Sequence, residues 1–214
     1  FGGAVGIGFF TQSAQVSQSG EYYVNVYHRN PQTDANGAVQ FAVAYGHRLG
    51  SGSYGDQNTV GQNQNDTPTR AIYSQYKNQL LPPTDTAFTF GSDTPNDIVV
   101  INVARARFRQ KIDPGNWELR IASGTLANGL TSYSSFIDNS GEEETPTLNE
   151  AGRVIGIYSG SGAVTASSTV YGLFYPDHGV FVFNAKRLKD ELGIPFNSAS
   201  AASLAAGATQ PKNA

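Results

Sequence analysis

Apolar residues recur along this chain at two spacings, and the change from one to the other predicts its elements. Glu21–His28 (Glu-Tyr-Tyr-Val-Asn-Val-Tyr-His) alternates apolar and polar positions and is rich in Tyr and Val, which predicts a half-buried strand. Gln40–His47 reads as its partner, and the stretch from Asn30 to Gly37 between them, with Pro31, Asp34 and Asn36-Gly37, predicts a hairpin with a polar loop. Residues 171–184 set two aromatic-rich strand segments around Pro176-Asp177-His178-Gly179. Pro176 presets φ, Asp177 can bond its own backbone and Gly179 can turn left-handed, so a second hairpin is expected between Leu173 and Val182. Asp97–Phe108 opens on an unmixed apolar run, the pattern of a strand covered on both faces. Shorter strands are expected at Phe88–Phe90, Ser132–Asp138 and Gly152–Tyr158. An Asp113-Pro114-Gly115 turn feeds a further strand with Trp117, Leu119 and Ile121 on one face, which predicts that the single tryptophan packs in the core rather than serving as a carbohydrate platform.

Helical spacing occurs twice. Pro68–Leu81 carries Ile72, Tyr73, Tyr76 and Leu80 on one helical face, and Pro82-Pro83 ends it. Ala185–Leu192 reads as a short helix capped by Asn184 and stopped by Gly193. The expected fold class is therefore mainly β, sandwich-like, with one or two short helices. Its expected organisation is a Gly-rich N-terminal arm at 1–20, a β-rich domain at 21–196 and an Ala/Ser-rich tail or linker at 197–214. Residues 49–69 are Gly, Ser, Asn and Gln with almost nothing apolar, so burial within that segment cannot offset its ordering entropy. A polar loop of this length either reaches onto a neighbouring subunit or lies over its own domain, and Tyr54 and Asn63 are its candidate contact residues.

Composition narrows the function classes. Charged residues are 14% of the 214, against about 25% in an average domain, and Gly, Ser, Thr, Asn and Gln fill the gap. A polar but weakly charged surface suits subunits that pack side by side, where a coat of like charge would oppose assembly. The net charge of −3 gives no global reason to expect a nucleic-acid partner. With no cysteine, disulfides, thiolate catalysis and Cys-based zinc sites are excluded. No apolar run approaches the roughly 18 residues of a membrane span, so no membrane association is expected. A chain that opens on Phe1 and contains no methionine is expected to be a processed product or part of a longer polypeptide.

Candidate chemistry is sparse. Arg105, Arg107 and Arg109 fall on one face of an extended strand and form the candidate interface of the domain. Such a row can clamp phosphate or a partner's carboxylates, or lie on a solvated face paired with Glu142, Glu143 and Glu144. A helical turn from Arg105 onward would disperse the row and defeat the clamp. His28, His47 and His178 have no metal-ligand spacing, Asp177 and His178 are neighbours in a turn without a nucleophile elbow, and the glycines of 46–55 lack the lysine of a phosphate-binding loop. No enzyme activity, cofactor or metal is expected.

Five segments then carry a resemblance: Phe-Ala-Val-Ala-Tyr-Gly-His-Arg-Leu-Gly-Ser-Gly-Ser (41–53), Thr-Pro-Thr-Arg-Ala-Ile-Tyr-Ser-Gln-Tyr-Lys-Asn (67–78), Lys-Ile-Asp-Pro-Gly-Asn-Trp-Glu-Leu (111–119), Ala-Gly-Arg-Val-Ile (151–155) and Tyr-Gly-Leu-Phe-Tyr-Pro-Asp-His-Gly-Val (171–180). In this order they resemble structural proteins of T4-like, contractile-tailed phages, particularly those of cyanobacteria, over most of residues 40–190. The resemblance implies a repeated subunit of the virion, in tail or baseplate, assembled in the host cytoplasm. Its implied partners are other copies of itself and other virion proteins, and there are no catalytic residues to carry over. Two other classes remain beside it. A receptor- or glycan-binding tail-fibre module would cluster exposed aromatics at loop tips, and a polysaccharide-degrading enzyme would hold two carboxylates about 5–9 Å apart. A capsid decoration protein belongs to the same structural class.

Overall fold

The computed structural model describes residues 10–13, 23–30, 33–50, 68–125, 131–140, 147–149, 151–162 and 164–193. In chain order these form β1 (Phe10–Ser13), β2 (Tyr23–Tyr27), β3 (Val39–His47), α1 (Pro68–Leu80), β4 (Asp97–Val103), β5 (Leu119–Thr125), β6 (Thr131–Asp138), β7 (Thr147–Asn149), β8 (Gly152–Ser161), β9 (Val164–Tyr175), β10 (Val180–Asn184) and α2 (Ala185–Leu192). The strands make one antiparallel sheet in the order β1-β2-β3-β4-β10-β9-β8-β6-β5, with β7 paired to β8. The chain is thus mainly β with two short helices, as its pattern predicts. The sheet curls over itself, so that one layer of the core lies between its two ends and the other between the sheet and α1.

The register explains the two-sided burial at the centre. Phe181 pairs with Ile101 and Phe174, and Val99 pairs with Phe183 and Tyr45, so these side chains share one face. Val180, Val182, Tyr175, Val100 and Ala44 fall on the other. The second face is covered by Tyr73, Tyr76 and Leu80 of α1 and by Phe88 and Phe90. The first is covered by Ala185 and Leu188 around α2 and by the far end of the sheet, which brings Trp117, Leu119, Ile121 and Phe136 back onto the centre. Edge-to-face ring pairs mark that closure, with centroids 5.5 Å apart for Phe136–Phe183 and 4.7 Å for Trp117–Phe181. Fully burying a phenylalanine such as Phe136 or Phe183 contributes about 1.5–3 kcal/mol relative to exposure. Gly46 sets how closely α1 approaches β3, since a Cβ there would stand 3.0 Å from the Tyr73 backbone nitrogen.

Several of these elements match expectation and others differ. The 173–182 hairpin forms with Leu173 opposite Val182, α1 ends before the two prolines, and Asn184 caps α2 by accepting the Arg187 N–H at 3.1 Å. Gly193 closes α2 in a left-handed conformation at φ +64. Phe88–Phe90, in contrast, is not a strand: it enters a tight turn closed by the Phe90–Asp93 bridge, with both rings fully buried under the sheet. The strand expected to run through Phe108 stops at Val103. Its β10 neighbour runs out there, since that ladder ends at Val180 and the Val103 N–H reaches the Gly179 carbonyl of the turn, while on the other side β3 continues and its Gln40 carbonyl takes the Ala104 N–H at 2.9 Å. Residues 10–13, expected in an arm, extend the sheet by pairing with β2.

Candidate assembly surface

The segment after β4 was expected to carry the charged row. Instead, Arg105–Arg107 form a single 3-10 turn, closed by the Arg107 N–H on the Ala104 carbonyl at 2.8 Å. Side chains at i and i+2 of such a turn diverge, so the three arginines do not line one strand face and the parallel clamp is not built. Each has its own setting. The Arg105 guanidinium lies 4.7 Å above the Phe108 ring centroid and donates to the Phe108 carbonyl at 2.7 Å. Arg107 Nε donates to the Val39 carbonyl of β3 at 3.2 Å, and Arg109 is exposed. Tyr54 and Asn63, the other candidate contact residues, lie outside the described residues, as do Glu142, Glu143 and Glu144, the bulk of the 49–69 segment and the 197–214 tail.

The same end of the sheet is tied together by the Pro176–Gly179 turn. Gly179 is left-handed at φ +67, and its N–H donates to the Tyr175 carbonyl at 2.9 Å. Phe108 packs directly on Gly179, where a Cβ would stand only 2.4 Å from its ring edge. The neighbouring Asp177 accepts the Arg153 N–H at 3.3 Å, and the His178 ring bonds the Ala151 carbonyl at 2.9 Å. Both side chains of the Asp-His pair thus hold the turn that leads into β8. Asp138, buried at the end of β6, accepts the Gly115 N–H at 2.9 Å on both oxygens and also the Ser140 N–H and hydroxyl. That cage seats the Asp113-Pro114-Gly115 turn.

At the opposite end, His47 of β3 stands across from Asp97 of β4. Its Nδ1 accepts the Leu49 N–H at 3.0 Å, so Nε2 carries the proton and meets Asp97 Oδ1 at 3.1 Å, where the Tyr45 hydroxyl also donates at 3.2 Å. Burial lowers the His47 pKa below its ordinary value, with Asp97 opposing, and burial followed by Asp97 raises that of Tyr45. Sequence reading treated His47 as isolated. The sign that was available is the alignment of His47 and Asp97 at the facing ends of two adjacent predicted strands, but it takes the correct register to see it.

Contact surface, as opposed to chemistry, shows in two further features. The sheet does not close: β1 and β5, at its two ends, each have one unpaired edge among the described residues. Beside β5, Tyr133 of β6 faces Ala122 on the outer face and is 60% exposed, and Leu148 of β7 is 76% exposed. Neither was singled out from sequence, because Tyr133 belongs to a strand whose apolar partners point inward. No set of three His, Asp or Glu side chains is placed to hold a metal among the described residues. No protein family, curated protein or solved structure matches the chain.

Proposed function

We propose that this chain is a repeated structural subunit of a phage particle, in its tail or baseplate, and that it works by assembling with further copies and with other virion proteins. The observation that carries the reading is the open sheet, with the β5 edge unpaired among the described residues and flanked by exposed Tyr133. An uncovered strand is a template for pairing with another chain, and isolated folds blunt such edges with charge, Pro or a covering segment. β5 has little of this: its one charged side chain, Arg120, is already engaged by Glu118 at 2.7 Å. The low charge content and the resemblance of the 41–53, 67–78, 111–119, 151–155 and 171–180 segments to contractile-tail phage structural proteins support the same reading. The test is single-particle cryo-electron microscopy of the intact particle that contains this chain. The expected result is symmetric recurrence in the tail or baseplate with the β5 edge covered by a neighbour. A single copy at a fibre tip, with the β5 edge bare and a cleft facing outward, would overturn the reading.

A further inference from the structure

His47 ends β3 with both nitrogens of a buried ring engaged. Nδ1 accepts the Leu49 N–H at 3.0 Å, and the Nε2–H meets Asp97 Oδ1 at 3.1 Å. The first bond reaches across a tight turn, in which Gly50, left-handed at φ +83, donates its N–H to the His47 carbonyl at 3.0 Å. Between them the Arg48 N–H reaches the Asn96 carbonyl at 2.8 Å and prolongs the pairing with β4. Residues 47–50 are thus one unit, fastened in its middle by a titratable ring.

The Leu49 bond exists only while the ring is neutral. A charged imidazole is a donor at both nitrogens, so no rotation of the ring offers the Leu49 N–H an acceptor, and two donors would face each other beside a buried side chain. The groups around the ring decide which side yields. Asp97 of β4 faces Nε2 and gains an ion pair when His47 charges, and the Tyr45 hydroxyl donates to the same carboxylate oxygen at 3.2 Å in either state. Arg48 follows the ring in the chain, and α1 brings Tyr73, on which the Arg48 charge acts, and Arg70 in its first turn. Asp97 thus holds the charged ring in place. Leu49, in contrast, is 70% exposed, so the turn can swing into water, where its N–H finds a new partner. Burial lowers the His47 pKa, with Asp97 opposing, so the ring is neutral and the turn fastened at neutral pH.

We propose that His47 is an acid-released latch: taking up a second proton frees the 47–50 turn, while the His47–Asp97 pair and the sheet behind it stay formed. One imidazole then sets the direction in which the chain leaves β3, independently of how copies assemble.

Heteronuclear NMR of the isotope-labelled full chain, stepped from about pH 8 to about pH 4.5, tests it. At the upper end the His47 ring should show a bare Nδ1 and a protonated Nε2, with the Leu49 and Gly50 amides protected from hydrogen exchange. As the ring charges, both amides should lose about tenfold in protection relative to an unstructured chain at the same pH, the factor that about one hydrogen bond represents. The Val100 and Val182 amides, paired at the centre of the sheet, should keep theirs. Protection at Leu49 that survives the charging of His47 overturns the proposal. So does a ring that stays neutral until the central amides exchange along with it, since nothing is then released locally. His47→Gln keeps a side-chain acceptor at every pH and should abolish the transition at Leu49, and a transition that persists there overturns the latch. Should that variant fail to fold, Asp97→Asn replaces it. Without the carboxylate the ring charges at lower pH, so the Leu49 transition should move down, and an unmoved transition overturns the proposal.

Discussion

Replacing Gly179 by alanine tests whether the turn at the basic end is held by its glycine and by Phe108 together. Two costs are separable. The first is conformational: at φ +67 a residue with a Cβ pays about 1–2 kcal/mol for the left-handed region. The second is steric, because the new methyl would stand 2.4 Å from Phe108 Cε1 and 2.7 Å from Cζ, so the ring must move, at the roughly 1–3 kcal/mol typical of overpacking. Together they amount to about 2–5 kcal/mol, against a total stability of about 5–15 kcal/mol for an ordinary domain. With a urea m-value near 3 kcal/mol/M, the midpoint should fall by about 0.7–1.7 M. Trp117 is the one tryptophan and packs on Phe174 and Phe181, so its fluorescence follows the core directly. Gly162→Ala is the control: it has a similar φ of +62, but nothing stands within 4 Å of its added Cβ, so it should show the conformational cost alone. A second control is Phe108→Ala, in whose background Gly179→Ala should cost no more than Gly162→Ala does. Equal losses for Gly179→Ala with and without the Phe108 ring would refute the steric argument, and a loss no larger than at Gly162 in the wild-type background would refute it independently.

Acid should destabilise the fold through His47 before carboxylates titrate. Its folded pKa lies below the ordinary 6.5, so between those two values the unfolded chain binds the extra proton and stability falls as pH drops through that window. The urea midpoint should therefore decline as pH falls below about 6.5, and His47→Gln should flatten that slope; an unchanged slope in the variant would exclude His47 as its source. The Tyr175 hydroxyl is fully buried without a hydrogen-bond partner among the described residues, whereas that of Tyr73 accepts the Phe88 N–H at 3.1 Å. Tyr175→Phe should thus be neutral or stabilising and Tyr73→Phe should cost about 1–3 kcal/mol by thermal or urea melts, an order whose reversal would contradict the bonding described. Asp138→Asn removes an acceptor from the Gly115 and Ser140 donors and should cost about 1.5–3 kcal/mol in the same melts, with no loss at all counting against the cage.

Sequence alone determined the features that depend on near neighbours. Alternation marked β2, β3 and the β9–β10 hairpin because side chains on a strand point to opposite faces in turn, whatever lies beyond them. The Pro176–Gly179 turn, the proline stop after α1 and the Asn184 and Gly193 caps were legible because each acts within a few residues. Tertiary structure decided what depends on distant partners. The arginines after β4 share the alternation of a strand, yet β4 is bonded on both sides only as far as Val103, where β10 gives way to the Pro176–Gly179 turn. Phe88 and Phe90 satisfied a strand pattern too, but the second face of the sheet needed covering and a turn delivers both rings to it. The curl that joins Trp117 and Phe136 to Phe181 and Phe183, the His47–Asp97 pairing and the open β5 edge all bring together or leave apart residues far separated in the chain. Local pattern is blind to such meetings, because burial and register are properties of the whole sheet.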